Sequence, residues 1–109
     1  MIVEQFIDDK ILQIHAYVSA VIEERIHYTE LDSFILDTMS EWTLLSVADE
    51  TPHSAKERLF WHLIHEVSLH GAHALSQDLF FKSEMNSCLD FFTGTGSYPI
   101  DCIGWRPIA

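Results

Sequence analysis

The stretch LFWHLIHEVSLHGAHAL, residues Leu59 to Leu75, combines a broad apolar surface with four of the protein's seven histidines. At about 100° per residue, its large apolar side chains fall on one arc of a helical wheel. These residues are Leu59, Phe60, Trp61, Leu63, Ile64 and Val67. An arc of this width is typical of a helix that packs into a core, so the stretch predicts a long central helix.

The ends of this third helix are predicted from capping signals. Thr51 is followed by a proline, which fits the first turn of a helix, and Ser54 with Glu57 offers a capping box. The helix is therefore expected to begin between Thr51 and Ser54. Gly71 weakens a helix by about 1 kcal/mol relative to alanine. The helix either stops or bends there or continues through Ala72 to Phe81, and of these we expect the continuation.

Two helices are predicted before this stretch. The first runs from Ile2 to about Ile26, with apolar residues spaced by three and four: Val3, Ile7, Ile11, Ile14, Val18, Val21 and Ile22. The second follows Thr29 as its N-cap and ends near Val47. Its apolar positions are Leu31, Phe34, Ile35, Met39, Trp42 and Leu45.

A fourth, shorter helix is predicted from its N-cap Ser83 to Phe92, with an inner face of Met85, Cys88, Leu89 and Phe92. Glycines and prolines then exclude regular helix over residues 93–109. The predicted fold class is all-α: a small bundle of about four helices with an irregular Gly/Pro-containing C-terminal arm. A chain of 109 residues is expected to form a single helical domain over residues 1–109.

The charge of the chain is strongly acidic. Seventeen Asp and Glu against six Lys and Arg give a formal net charge of −11, of which residues 1–50 hold −9. This charge repels a phosphate backbone, so we expect no nucleic-acid ligand. It is typical of a solvated acidic surface, or of a protein that binds a basic protein partner.

Location is predicted from two absences in the sequence. No apolar run approaches the roughly 20 residues that span a bilayer, so we expect no membrane partner. The chain begins without a charged and apolar leader, and two cysteines, Cys88 and Cys102, do not make a secreted disulfide framework. The expectation is a cytoplasmic protein.

A candidate metal site lies beside the apolar arc of the third helix. His62, Glu66, His70 and His73 gather within about 80° of the wheel, and a spacing of four lets one helix supply two ligands to a divalent transition metal such as Zn. Further ligands would come from an acid on another element or from His15, His27 or Cys88. The alternatives are a solvated histidine flank and a proton switch, since histidine titrates near about pH 6.5.

The order His62, Glu66, His70, His73 resembles part of the last-helix signature of DinB-like four-helix metalloproteins. Those proteins use a Glu or His and a His one turn further on, joined by a His from another helix. The resemblance implies a metal site in which Glu66 and His70 are ligands. It extends over residues 62–73, and the second predicted helix contains no histidine to complete such a site.

Two surfaces are candidates for binding a protein partner. The first comprises acids of helices one and two, namely Glu23, Glu24, Asp32 and Asp37. The second is the arm, where Tyr98, Trp105 and Arg106 are of the residue types that dominate interaction hot spots. The alternative for the arm is that Ile100, Ile103 and Trp105 pack back onto the bundle and close its core.

A homodimer is a further hypothesis. Five apolar residues of helix one alternate steps of four and three, as in a coiled-coil seam: Ile7, Ile11, Ile14, Val18 and Val21. The alternative is an ordinary core-facing stripe within one chain.

Together these patterns favour a small acidic cytoplasmic protein that acts by protein–protein interaction, as an adaptor, regulator or immunity-type inhibitor, and not as an enzyme. No cofactor is expected in that case. The alternative is a metal-binding helical protein or a metal-dependent enzyme of DinB-like arrangement, centred on the His-rich third helix.

Overall fold

The predicted all-α bundle is confirmed by a computed structural model, which describes residues 3–45, 52–99 and 104–107. Those residues form four helices and no strand: α1 Val3–Ile22, α2 Tyr28–Leu45, α3 Ala55–Gln77 and α4 Leu79–Phe92. None of these helices is both long enough and apolar enough to cross a bilayer. The expected end of the second helix near Val47, and Cys102, lie outside the described residues.

Helix α3 is central, and it packs against α1 and α4 while α1 packs against α2. All six residues of its predicted apolar arc are buried. The five residues of the proposed coiled-coil seam on α1 are buried as well, against the helices of their own chain. These five residues therefore belong to the core of one chain, as the alternative prediction had it.

The connection between α1 and α2 corrects two predicted helix ends. Helix α1 ends at Ile22, before the predicted Ile26, because Glu24 takes a left-handed conformation with φ of 59°. The Arg25 amide then donates to the Ala20 carbonyl at 2.8 Å, which closes the helix as a Schellman motif.

Helix α2 begins at Tyr28, two residues earlier than a cap at Thr29 predicts, and Thr29 is not its cap. The Nδ1 atom of His27 accepts a hydrogen bond from the Thr29 amide at 3.2 Å. The Glu30 amide donates to the His27 carbonyl at 3.0 Å. His27 therefore supplies the side-chain acceptor that the sequence pattern assigned to Thr29, as an N-cap residue does.

The start of α3 matches its prediction, since the Ser54 hydroxyl accepts from the Glu57 amide at 3.1 Å. The predicted continuation to Phe81 is wrong. Gly71 has φ of 77° and ψ of −166°, so the helix kinks there, and it ends at Gln77. Glycine adopts such a conformation without the steric penalty of a side chain, and this freedom decides the path of the chain.

Helix α4 begins at Leu79, and the prediction that Ser83 caps it is wrong. The Asp78 carboxylate accepts from the Phe81 amide at 3.0 Å and makes the N-cap. The kink at Gly71 and the cap at Asp78 together turn the chain, so that α4 runs back along α3. Side chains of α4 thereby come to lie beside the histidine face of α3.

The C-terminal arm is docked on α3. The Gly104 amide donates to the Arg58 carbonyl at 3.0 Å. A Cβ atom at position 104 would collide with backbone atoms of Arg58 and His62, so only glycine fits this approach. Gly104 and Arg106 are thus docked, but the alternative prediction is wrong for Trp105, which leaves 79% of its surface exposed, and Ile100 and Ile103 lie outside the described residues.

Candidate functional site

The arm is fixed by a buried ion pair. The Glu57 carboxylate is fully buried, and Arg106 donates to it through Nε at 2.5 Å and Nη2 at 2.8 Å. Trp61 donates its indole N–H to the same carboxylate at 3.0 Å. The guanidinium also donates to the Pro52 carbonyl at 3.2 Å and lies over the Trp42 ring, 5.4 Å from its centroid. Arg106 is therefore held inside the fold.

The other two candidate residues of the arm differ in exposure. Tyr98 is half-buried, and its ring meets that of Phe91 edge to face with centroids 5.1 Å apart. Trp105 leaves 79% of its surface exposed. Among the three predicted hot-spot residues of the arm, Trp105 presents most of its side chain to solvent.

A groove of about 350 Å³ lies between the arm and the bundle. Trp105 and Pro107 form one wall, and Met39, Ile64 and His65 contribute to the others. This volume is at the lower end of the range for small-molecule sites, which is about 300–1,000 Å³.

The histidine face of α3 is built around Glu66. The Nε2 atom of His70 lies 3.0 Å from Oε2 of Glu66, and the Nε2 atom of His62 lies 4.0 Å from Oε1 of the same carboxylate. The spacing of four residues along one helix produces both contacts. Three of the four predicted metal ligands are therefore neighbours.

His62 has an unusual position in this face. Its Nε2 atom is buried and has no hydrogen-bond partner within residues 3–45, 52–99 and 104–107. A buried polar atom without a partner costs about 1–3 kcal/mol. The nearby Oε1 atom of Glu66, at 4.0 Å, is beyond hydrogen-bond distance.

Glu84 of α4 completes a three-residue group with His62 and Glu66. One ligating atom from each residue lies within 4.8 Å of the other two. His73 follows the kink at Gly71 and is exposed, so the wheel that placed it beside His70 does not apply. Sequence reasoning missed Glu84, because its position depends on the turn between α3 and α4.

The residues suggested as further metal ligands have other positions. Cys88 is buried in the hydrophobic core. His27 caps α2 through its ring nitrogen. His15 lies half-buried on α1. None of the three belongs to the group formed by His62, Glu66 and Glu84.

The acidic candidates lie partly around one cleft at the turn between α1 and α2. This acidic cleft, of about 440 Å³, is lined by Val21, Glu24, Arg25, Ile26, His27, Tyr28, Ala72 and Ser76. Glu24 is the carboxylate among these lining residues; its exposed neighbour Glu23 pairs with Arg25 at 2.7 Å. The cleft thus combines apolar side chains with one carboxylate, and further exposed acids, Glu30 and Asp32, follow the turn in α2.

Tyr28 connects this cleft to Asp32. Burial raises the pKa of the Tyr28 phenol above its ordinary value of 10.0, and the nearby Asp32 charge raises it further. The phenol donates to the Val67 carbonyl at 3.2 Å, which ties α2 to α3. Asp32 therefore lies near the phenol of Tyr28, a residue that lines the cleft, whereas Asp37 is exposed more than one turn further along α2.

Most of the positive charge is used in internal ion pairs. Lys10 pairs with Glu41 at 2.9 Å, and Lys56 pairs with Asp8 at 2.9 Å. With Arg25 and Arg106, at least four of the six basic residues are paired within the chain. The surface consequently presents carboxylates in excess.

The described residues thus offer two kinds of chemistry: an acidic cleft with apolar walls at the α1–α2 turn, and a His–Glu–Glu group between α3 and α4.

The chain matches no protein-family model, no curated protein and no solved structure.

Proposed function

We propose that the protein acts by binding a basic protein partner at the acidic cleft. The single observation that carries this proposal is the excess of exposed carboxylates over basic side chains at the α1–α2 turn, whose residues 24–28 line the cleft. The exposed acids of residues 23–32 are Glu23, Glu24, Glu30 and Asp32, against one Lys or Arg, Arg25. Such a function is that of an adaptor, a regulator or an immunity-type inhibitor and not that of an enzyme. A cytoplasmic location belongs to the same proposal.

The overall charge supports fast and salt-sensitive association. A net charge of −11 on 109 residues attracts a basic partner at long range and raises the association rate. Screening shortens this attraction to about 8 Å at physiological ionic strength. The proposal therefore requires binding that weakens as salt is added.

The walls of the cleft support recognition of a Lys or Arg side chain. Val21, Ile26 and Ala72 offer apolar contacts to the aliphatic stem of such a residue, and the Tyr28 ring is a face for its cation. Glu24 and Asp32 then meet the charged group. An inserted basic side chain is the type of anchor that carries much of the energy of an interface.

The experiment is a quantitative affinity purification from the native lysate with two charge-matched variants. Glu24→Gln/Asp32→Asn removes the carboxylate that lines the cleft and the one near Tyr28, and Glu4→Gln/Asp9→Asn removes two exposed charges from α1, away from the turn. We expect the wild type and the control variant to retain a basic protein that the cleft variant loses. The retained amount should fall between 50 and 300 mM salt, because the attraction is screened.

Loss of the partner in both variants to the same degree would mean that net charge alone attracts it, and the cleft would not be the site. Retention by all three proteins, or no basic protein at low salt, would contradict the proposal.

A further inference from the structure

We propose that His62, Glu66 and Glu84 bind a Zn²⁺ ion between α3 and α4. This site is separate from the acidic cleft and does not depend on the function proposed above. One ligating atom from each residue lies within 4.8 Å of the other two. We assign the ligands as Nε2 of His62 and Oε1 of Glu66, which are 4.0 Å apart, and one carboxylate oxygen of Glu84.

The separation of these atoms is close to that of a zinc site. Zinc binds nitrogen and oxygen ligands at about 2.0–2.2 Å, so two ligands of a tetrahedral ion are about 3.4 Å apart. The Nε2 atom of His62 and Oε1 of Glu66 are 4.0 Å apart. Side-chain movements well below 1 Å therefore bring these two atoms to ligand distance.

His62 provides an independent indication of a ligand. Its Nε2 atom is buried and lacks a hydrogen-bond partner among the described residues, although two carboxylates lie nearby. A metal ion would take the lone pair of this nitrogen and would also neutralise the two glutamates. Without a metal ion, the like charges of Glu66 and Glu84 repel each other at this half-buried position.

His70 positions the carboxylate of Glu66. It lies 3.0 Å from Oε2, which leaves Oε1 directed towards His62. The His70 ring is itself held against Phe81, with centroids 4.9 Å apart. Partners of this kind fix the orientation of a metal ligand, and their loss typically lowers metal affinity about 10–100-fold.

The donor set and its surroundings determine the kind of site. One imidazole and two carboxylates suit Zn²⁺, and no thiolate belongs to the group. Three protein ligands leave the fourth position for water or for an exogenous ligand. His62 also lines the groove beneath Trp105, while Glu84 lines a second cleft of about 470 Å³ beside the arm. The site is therefore accessible from solvent.

The test uses the full chain, purified without a histidine tag and stripped of metal. Zinc affinity is measured by competition with a chromophoric chelator, and Co²⁺ is added as a spectroscopic probe of four-coordinate geometry. We expect one Zn²⁺ per chain and a rise in the melting temperature with Zn²⁺, since a ligand that binds the folded state stabilises it.

Variants separate the site from surface histidines. Glu66→Gln and Glu84→Gln should each weaken zinc binding by about 100-fold or more, and His70→Gln by about 10-fold. The matched controls His65→Gln and His73→Gln remove exposed histidines from the same helix and should leave the affinity unchanged. Circular dichroism checks that each variant folds, and Glu84→Gln tests the site even if changes on the central helix do not fold.

Substoichiometric zinc in the wild type would overturn the proposal, as would equal losses in the ligand variants and the two controls. Unchanged affinity in Glu84→Gln would exclude the ligand from α4 and with it the site described here.

Discussion

The substitution Arg106→Met tests whether the arm is fixed by its buried ion pair. The change removes the two charge-assisted hydrogen bonds to Glu57, whose carboxylate is fully buried and keeps the Trp61 N–H as a donor. Breaking one side of a buried pair costs about 3–5 kcal/mol, because the other charge is left uncompensated. We expect a loss at the lower end, about 3 kcal/mol, since Trp61 still donates.

The assay is urea unfolding followed by far-ultraviolet circular dichroism. With an m-value of about 1.5 kcal/mol/M, a loss of about 3 kcal/mol lowers the midpoint by about 2 M. The double variant Glu57→Gln/Arg106→Met should recover about 2 kcal/mol, because no unpaired charge remains and an amide oxygen still accepts from Trp61. Arg58→Met, at an exposed position of α3, is the control and should change stability by less than about 0.5 kcal/mol.

A loss below about 1 kcal/mol in Arg106→Met would refute the reasoning. That result would mean that the pair is solvated and that the arm does not hold Arg106 against Glu57. Equal stability of the single and double variants would likewise show that the unpaired carboxylate is not the source of the loss.

Three further predictions concern single side chains. Glu24→Gly should raise the free energy of unfolding by up to about 1 kcal/mol, because glycine adopts the φ of 59° without the steric strain of a side chain. Lower stability in urea would contradict the Schellman end of α1. Thr38→Val should also stabilise the fold, by about 1 kcal/mol, because the buried hydroxyl has no hydrogen-bond partner in the described part of the chain. An unchanged urea midpoint would show that water satisfies this hydroxyl. The raised pKa of Tyr28 contributes stability that is present below pH 10 and is lost as the pH rises through the folded-state pKa. Tyr28→Phe should therefore lose less stability than the wild type between pH 9.5 and 11.5 in urea titrations, and parallel profiles would refute the raised pKa.

The helices and the core could be predicted from the sequence because apolar periodicity reports burial directly. The arc on α3 and the stripe on α1 are both formed by large residues at helical spacing, and the structure buries both. The spacing on α1 could not distinguish a core-facing stripe from a dimer seam, because a core stripe and a seam need apolar residues at nearly the same spacing. The packing of α1 against α2 and α3 decides between them.

The ends of the helices were predicted less well, because several residues near one end can act as a cap with similar strength. Ser83 and Asp78 are both good N-cap residues, and the structure uses Asp78, which ends α3 and begins α4. Thr29 and His27 compete in the same way at α2, where a ring nitrogen replaces the expected hydroxyl. Such choices depend on where the chain must turn to bury its apolar faces.

The contacts that define the candidate sites join residues far apart in the chain. Arg106 meets Glu57 across 49 positions, and Glu84 meets His62 only because α4 folds back on α3. Spacing along one helix predicted the neighbours His62, Glu66 and His70. A single sequence carries no signal for the partners on other elements.

Binding at the acidic cleft is tested most directly by nuclear magnetic resonance of the ¹⁵N-labelled protein during titration with a short peptide rich in Lys and Arg. A peptide with Gln in place of the basic residues is the control. We predict that amide shift changes concentrate at Val21, Glu24, Ile26, Tyr28 and Ala72, weaken with salt and are absent with the control peptide. Changes spread evenly over exposed acids of α1 and α2, or centred away from the cleft, would contradict the proposed function.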